Sequence, residues 1–124
     1  MRKLALLAYL LMDGTLREGS TLFGDEPESD LNPRLIVILS KVLSNLAGHG
    51  LQVVLATHSL FLLREIELAR MEGKNSVRYV GLSLEGESVT VEQSDELDGI
   101  GTLVLLDEEL NQFDRYLAAE GPDP

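Results

Sequence analysis

Residues 22–34 read Leu22-Phe23-Gly24-Asp25-Glu26-Pro27-Glu28-Ser29-Asp30-Leu31-Asn32-Pro33-Arg34, the end of a strand followed by the start of a helix. A short apolar run, Thr21-Leu22-Phe23, stops at adjacent carboxylates, Asp25 and Glu26, as a buried strand does where it meets solvent. Asn32 then Pro33 is a helix start: a side-chain acceptor at the N-cap, then a residue that lacks an N–H where none is needed. Leu35, Ile36, Ile38, Leu39, Val42, Leu43 and Leu46 follow at helical spacing and make a wide apolar face. Gly48 and Gly50 stop that helix. Leu51 to Ala56, rich in Val and Leu, predicts a second buried strand. Strand, crossover helix and strand imply a parallel pair with a right-handed crossover. In such sheets ligands gather outside the carboxyl ends of the strands. Two polar groups fall there, Asp25-Glu26 and Thr57-His58-Ser59.

On either side the alternation continues. Residues 2–12 are almost uniformly apolar and rich in Leu and Ala, which predicts a helix buried on most sides and ended by Asp13-Gly14. Ser59 caps a further helix that runs to about Arg70 and gives way to a turn at Glu72-Gly73-Lys74-Asn75. Val77 to Leu84 and Ser88 to Glu92 predict two strands joined as a hairpin at Glu85-Gly86-Glu87. Residues 93–101 form a polar loop. Leu103, Leu106, Leu110, Phe113 and Leu117 mark a last amphipathic helix, expected to pack on its own sheet, before a frayed tail, Gly121-Pro122-Asp123-Pro124. The expected class is α/β, a mostly parallel sheet with flanking helices plus a β-hairpin. Residues 1–93 form the main lobe, and residues 94–124 add an acidic loop and helix to the same domain.

Composition narrows the chemistry. The chain has 124 residues, no cysteine and two histidines, His49 and His58. Disulfide scaffolds, thiolate catalysis and cysteine-based zinc sites are excluded. The apolar run from Leu4 to Met12 is too short to span a bilayer, and no small-x-small cleavage site follows it. A soluble, cytoplasmic protein is expected. Residues 1–79 hold nine basic and nine acidic residues, whereas residues 80–124 hold one basic residue, Arg115, and twelve acidic ones. That acidic third argues against direct contact with a nucleic-acid backbone, and also reads as a solvated surface that aids solubility.

The strand-end residues suit a magnesium–nucleotide site. A hard carboxylate such as Asp25 can hold Mg²⁺, often through water, and Glu26, pointing elsewhere, can orient or deprotonate an attacking water. Asp25-Glu26-Pro27 also reads as a plain solvated turn, and His58 as a hydrogen-bonded structural residue. Together, however, the two stretches resemble a known family. Residues 22–34 resemble the Walker B and D-loop region of ABC-type P-loop ATPases, especially the OLD/RecF-like AAA ATP-binding proteins, with their Asp-Glu-Pro-Glu segment and Leu-x-Pro helix start. Val53-Val54-Leu55-Ala56-Thr57-His58-Ser59 resembles their switch strand, which closes in Ala-Thr-His-Ser. The resemblance covers roughly residues 2–93. It implies that Asp25 is the Mg²⁺ residue, Glu26 the catalytic glutamate and His58 a contact to the γ-phosphate of ATP. It also implies that Ser29, Asp30 and Leu31 form the D-loop that meets a partner subunit. Relatives of this kind are linked to DNA repair, nuclease-coupled defence or toxin–antitoxin systems.

Some of the family pattern is missing from these residues. Gly24 stands where a bulky apolar residue usually precedes the Asp, which loosens strand packing or lets a neighbour approach closely. A phosphate-binding Walker A loop needs G-x-x-x-x-G-K-[ST], whose backbone N–H groups cradle phosphates and whose Lys neutralises them. The only Gly-Lys here, Gly73-Lys74, has Leu68 five residues before Gly73 and Asn75 after Lys74, and it lies beyond the switch motif. It reads as a turn. The Ser-x-Gly signature is also missing, and the Leu/Ala-rich helix after Arg2-Lys3 resembles the helix that comes immediately after that signature. The expectation is therefore a C-terminal ATPase lobe, inactive alone, whose partner is an N-terminal lobe or second ATPase subunit. The other reading is a non-catalytic interaction module, or regulatory relic, acting through the acidic C-terminal helix. Exposed apolar surface, above all the 2–12 helix, would favour homo-oligomers.

Overall fold

The structure, a computed structural model, describes residues 5, 6, 9, 12–14, 17–100 and 104–121. The chain divides into two compact units, residues 1–77 and 78–124. In the first, β1 (Thr21–Asp25) leads through α1 (Pro33–Gly48) to β2 (Gln52–Ala56) and then α2 (Leu60–Met71). β1 and β2 pair in parallel, Leu22 with Val53 through Asp25 with Ala56, as strand–helix–strand order requires.

Local chemistry explains the boundaries. The Asn32 side chain accepts the Leu35 N–H at 3.0 Å, and Pro33 occupies the first helical position of α1. At its other end Gly50, at φ +91°, donates its N–H to Ala47 O while Leu51 N–H reaches Leu46 O. This is a Schellman closure, which needs a left-handed residue and usually brings the flanking apolar side chains together. Leu46 and Leu51 are accordingly buried together, with Leu22, Val42 and Val53 against them. Ile36, Leu39 and Leu43 continue the buried stripe of α1, and Leu60 and Leu62 supply that of α2, which packs on α1.

The second unit holds β3 (Tyr79–Glu85) and β4 (Ser88–Ser94), an antiparallel hairpin, then a short 3₁₀ turn at Leu97–Gly99 and α3 (Val104–Glu120). Tyr79, Leu97 and Ile100 are buried. Arg78 donates to Asp95 at 2.7 Å beside the open end of the hairpin.

Three expectations of burial are corrected. β1 and β2 are expected as buried strands, yet only alternate residues are covered, and those in part. Leu22, Val53 and Leu55 are partly buried, whereas Phe23 is 75% exposed and Val54 is also exposed. Helices among the described residues cover one face of the pair, so the strands alternate as half-buried strands do. In the expected helix at 2–12, Ala5, Leu6, Tyr9 and Met12 are helical but exposed, and the rest of it lies outside the described residues. In α3, Phe113 and Leu117 are exposed rather than packed on a sheet. Leu103 and the side chains of Leu106 and Leu110 lie outside the described part, as does the tail beyond Gly121. Among the described residues no helix is long and apolar enough to cross a membrane.

Candidate functional site

Parallel pairing puts the two strand ends side by side. Asp25 and Ala56 are register partners, and Glu26 N–H extends the ladder by one bond, to Ala56 O at 2.7 Å. Glu26 then takes φ +47°, and Asp30 φ +67°. Left-handed backbone is costly for residues with a Cβ, about 1–2 kcal/mol each, and such outliers concentrate at functional sites. Here they fold the segment tightly: Ser29 N–H donates to Glu26 O and Leu31 N–H to Glu28 O, both at 3.0 Å.

The turn brings Glu26 to His58. His58 Nδ1 lies 2.5 Å from Glu26 Oε1, with the imidazole 71% and the carboxylate 43% exposed. An Nδ1–H donated to the carboxylate fixes the ring orientation and leaves Nε2 as its second polar position. Asp25 is exposed at the end of β1. Ser29 and Asp30 are also exposed, on the turn beyond it. The strand ends therefore bring Asp25, Glu26 and His58 to one edge of the sheet.

The donor set suits Mg²⁺ in one respect. Asp25 offers a hard, exposed carboxylate, and Mg²⁺ usually takes only one or two protein carboxylates and completes its shell with water and phosphate oxygens. Among the described residues no group of three acidic or His side chains could hold a metal by itself. One exposed carboxylate matches the small share of ligands that a protein usually supplies to Mg²⁺.

Two residues without an assigned role complete the local network. The Thr57 hydroxyl donates to Glu28 Oε1 at 2.5 Å and accepts the Ser59 N–H at 3.0 Å. Ser59 Oγ accepts the Leu62 N–H at 3.2 Å and caps α2. Glu28 and Thr57 both lie within the motifs that mark the strand ends, but no spacing rule pairs side chains 29 residues apart. The other histidine serves a helix end: His49 Nδ1 is 2.7 Å from Asn45 O. Gly73-Lys74 is the Schellman closure of α2, with Gly73 N–H on Arg70 O and Lys74 N–H on Ala69 O, and Lys74 pairs with Glu72 at 3.0 Å. It is a helix stop and not a phosphate loop.

A parallel strand pair joined by a helix, with a further helix and a hairpin after it, has the form of a P-loop NTPase-like α/β fold. The structural comparison agrees. The chain is similar to a solved structure from work on ATP-driven dimerization and DNA-stimulated activation of SMC ATPases, with a TM-score of 0.57 and 10% sequence identity. The match covers 90% of this chain and 58% of that one, so the chain spans little more than half of the protein it resembles. At that identity the likeness establishes fold. The sequence model of the family described as "AAA domain, putative AbiEii toxin, Type IV TA system" matches residues 1–64, and the chain belongs to that family. It is an ATPase-like domain. No curated protein gives a significant match.

Proposed function

We propose that this chain supplies the magnesium-side and water-activating residues of an ABC-type ATP site whose phosphate cradle comes from another lobe or subunit. The observation that carries the reading is the Glu26–His58 contact at 2.5 Å beside Asp25. Asp25 holds Mg²⁺, directly or through water, and the ion offsets phosphate charge when bound. Glu26 accepts a proton from, or orients, the attacking water, because an ionised carboxylate accepts hydrogen bonds and cannot donate them. His58 holds Glu26 through Nδ1 before nucleotide arrives and contacts the γ-phosphate afterwards. Ser29 and Asp30, exposed on their strained turn, meet a partner subunit.

The chain offers no Gly-Lys loop free to cradle phosphates, since Gly73-Lys74 closes α2. Electrostatic stabilisation of the phosphates is most of phosphoryl-transfer catalysis, so the isolated chain is inactive. The exposed apolar residues on β1 and β2, Phe23 and Val54, support association with a further lobe or a second copy. The solved relative concerns ATPases whose dimerization is ATP-driven, which supports an ATP-dependent partner here. The test is hydrolysis by this chain alone and after addition of a phosphate-cradling lobe. Turnover is expected only in the second case, and turnover by the chain alone would refute the division of labour.

A further inference from the structure

Glu28 is a carboxylate with only 8% of its surface exposed. Such residues are almost never fully buried unless paired, and a buried polar atom without a partner calls for an explanation. Glu28 Oε1 has a partner in the Thr57 hydroxyl, at 2.5 Å, while Oε2 is buried with no hydrogen-bond partner among the described residues. Among the described residues the Thr57 hydroxyl is the one hydrogen-bond partner of this buried carboxylate.

That bond lies beside the candidate pair. Thr57 precedes His58 and Ser59 succeeds it. One hydroxyl, by donating to Glu28 and accepting the Ser59 N–H at 3.0 Å, fixes the backbone on both sides of His58. Ser59 Oγ then fastens the loop to the first turn of α2. On the opposite strand end, Glu28 lies two residues beyond Glu26, and their carbonyls accept the N–H groups of Leu31 and Ser29. One carboxylate therefore joins the turn that presents Glu26 to the loop that presents His58.

We propose that Glu28 is a positioning residue, which through the Thr57 hydroxyl sets the His58 loop against Glu26. It touches no reacting atom. Its consequence for hydrolysis rests on the ATPase reading above, but the positioning is a property of the folded chain.

The test is the ring-nitrogen NMR of His58 in the full chain at fixed pH, with the two imidazoles told apart by replacing His49. In the unaltered chain the Nδ1 proton is expected, facing Glu26. Thr57→Val keeps the shape of Thr57 but has no hydroxyl, and Glu28→Ala removes the acceptor. Each should lose the Nδ1 signature and match Glu26→Ala, whereas Thr57→Ser should keep it. Folded Thr57→Val and Glu28→Ala proteins with an unchanged His58 signature would overturn the proposal. Where neither variant folds, hydrogen exchange at the Ser59 amide of the unaltered chain decides. Slowing by about tenfold or more over an unstructured peptide is expected for a bonded N–H, and exchange at the unstructured rate overturns the role. An unchanged His58 signature defeats the positioning role even where Glu26→Gln upholds the ATPase reading, and a lost signature supports it even where Glu26→Gln does not.

Discussion

Gly24 sits within β1 against the Leu55 side chain, and the geometry gives the cost of adding a side chain there. A Cβ built at Gly24 lies 2.9 Å from Leu55 Cδ2 and 3.8 Å from Pro27 Cβ and Cγ. Carbon atoms in comfortable contact sit about 3.5–4.0 Å apart, so the Leu55 methyl must retreat by roughly 0.6–1.1 Å. Being the end of a flexible side chain, it can do so at a rotamer cost of about 0.5–1.5 kcal/mol. Replacing Gly within a strand returns about 0.5–1 kcal/mol. Gly24→Ala should therefore lie within about 1 kcal/mol of the unaltered chain, since the two terms nearly cancel. Gly24→Val adds methyl groups with no room for them and should cost about 1–3 kcal/mol, the usual range for overpacking. Leu55→Ala, at a partly buried site, should cost about 2 kcal/mol, the lower end for such truncations. The double substitution exchanges volume between facing positions, so its cost should fall short of the sum by about 1 kcal/mol or more. Urea unfolding followed by circular dichroism gives all four stabilities. Additivity within about 0.5 kcal/mol would mean that the two side chains do not compete for space, and the account of Gly24 would fall.

Further outcomes are expected at the helix ends and in solution. Asn32→Ala removes the acceptor for Leu35 N–H and should cost about 1 kcal/mol by urea unfolding, whereas Asn32→Asp should be nearly neutral. Gly50→Ala must hold a left-handed φ of +91° and place a Cβ 2.7 Å from Glu18 Cγ. It should cost at least about 1–2 kcal/mol, and adding Glu18→Ala should relieve only the steric part. Calorimetry of MgATP with the isolated chain should give a dissociation constant in the millimolar range or weaker, about 4 kcal/mol of binding free energy or less, because Asp25 and Glu26 add negative charge where phosphates would sit. Micromolar binding would point to a phosphate site elsewhere in the chain.

Much of the fold was legible because it rests on local chemistry. Asn32-Pro33 announces α1, Gly50 ends it, Ser59 caps α2, and Glu85 to Ser88 close the hairpin. The parallel pairing could be read from strand–helix–strand order. Burial was less legible, since it depends on what lies across a face and not on the residues of that face. Phe23, Val54, Phe113 and Leu117 are as apolar as core residues and yet exposed. At the site, Asp25, Glu26 and His58 could be placed together because they end adjacent strands. The left-handed turn at Glu26 could not be foreseen, as Glu has no preference for it. The Glu28–Thr57 bond was equally hidden, since it joins side chains brought together only by the sheet register.

In the proposed site Glu26 acts on water and not on the bound phosphates. The measurement is of ATP hydrolysis and ATP binding side by side, with and without Glu26→Gln, after a phosphate-cradling lobe has been added to this chain. ATP binding should survive in Glu26→Gln while turnover falls by about 10²-fold or more, the range for loss of a general base. Normal hydrolysis by the Glu26→Gln protein would contradict it.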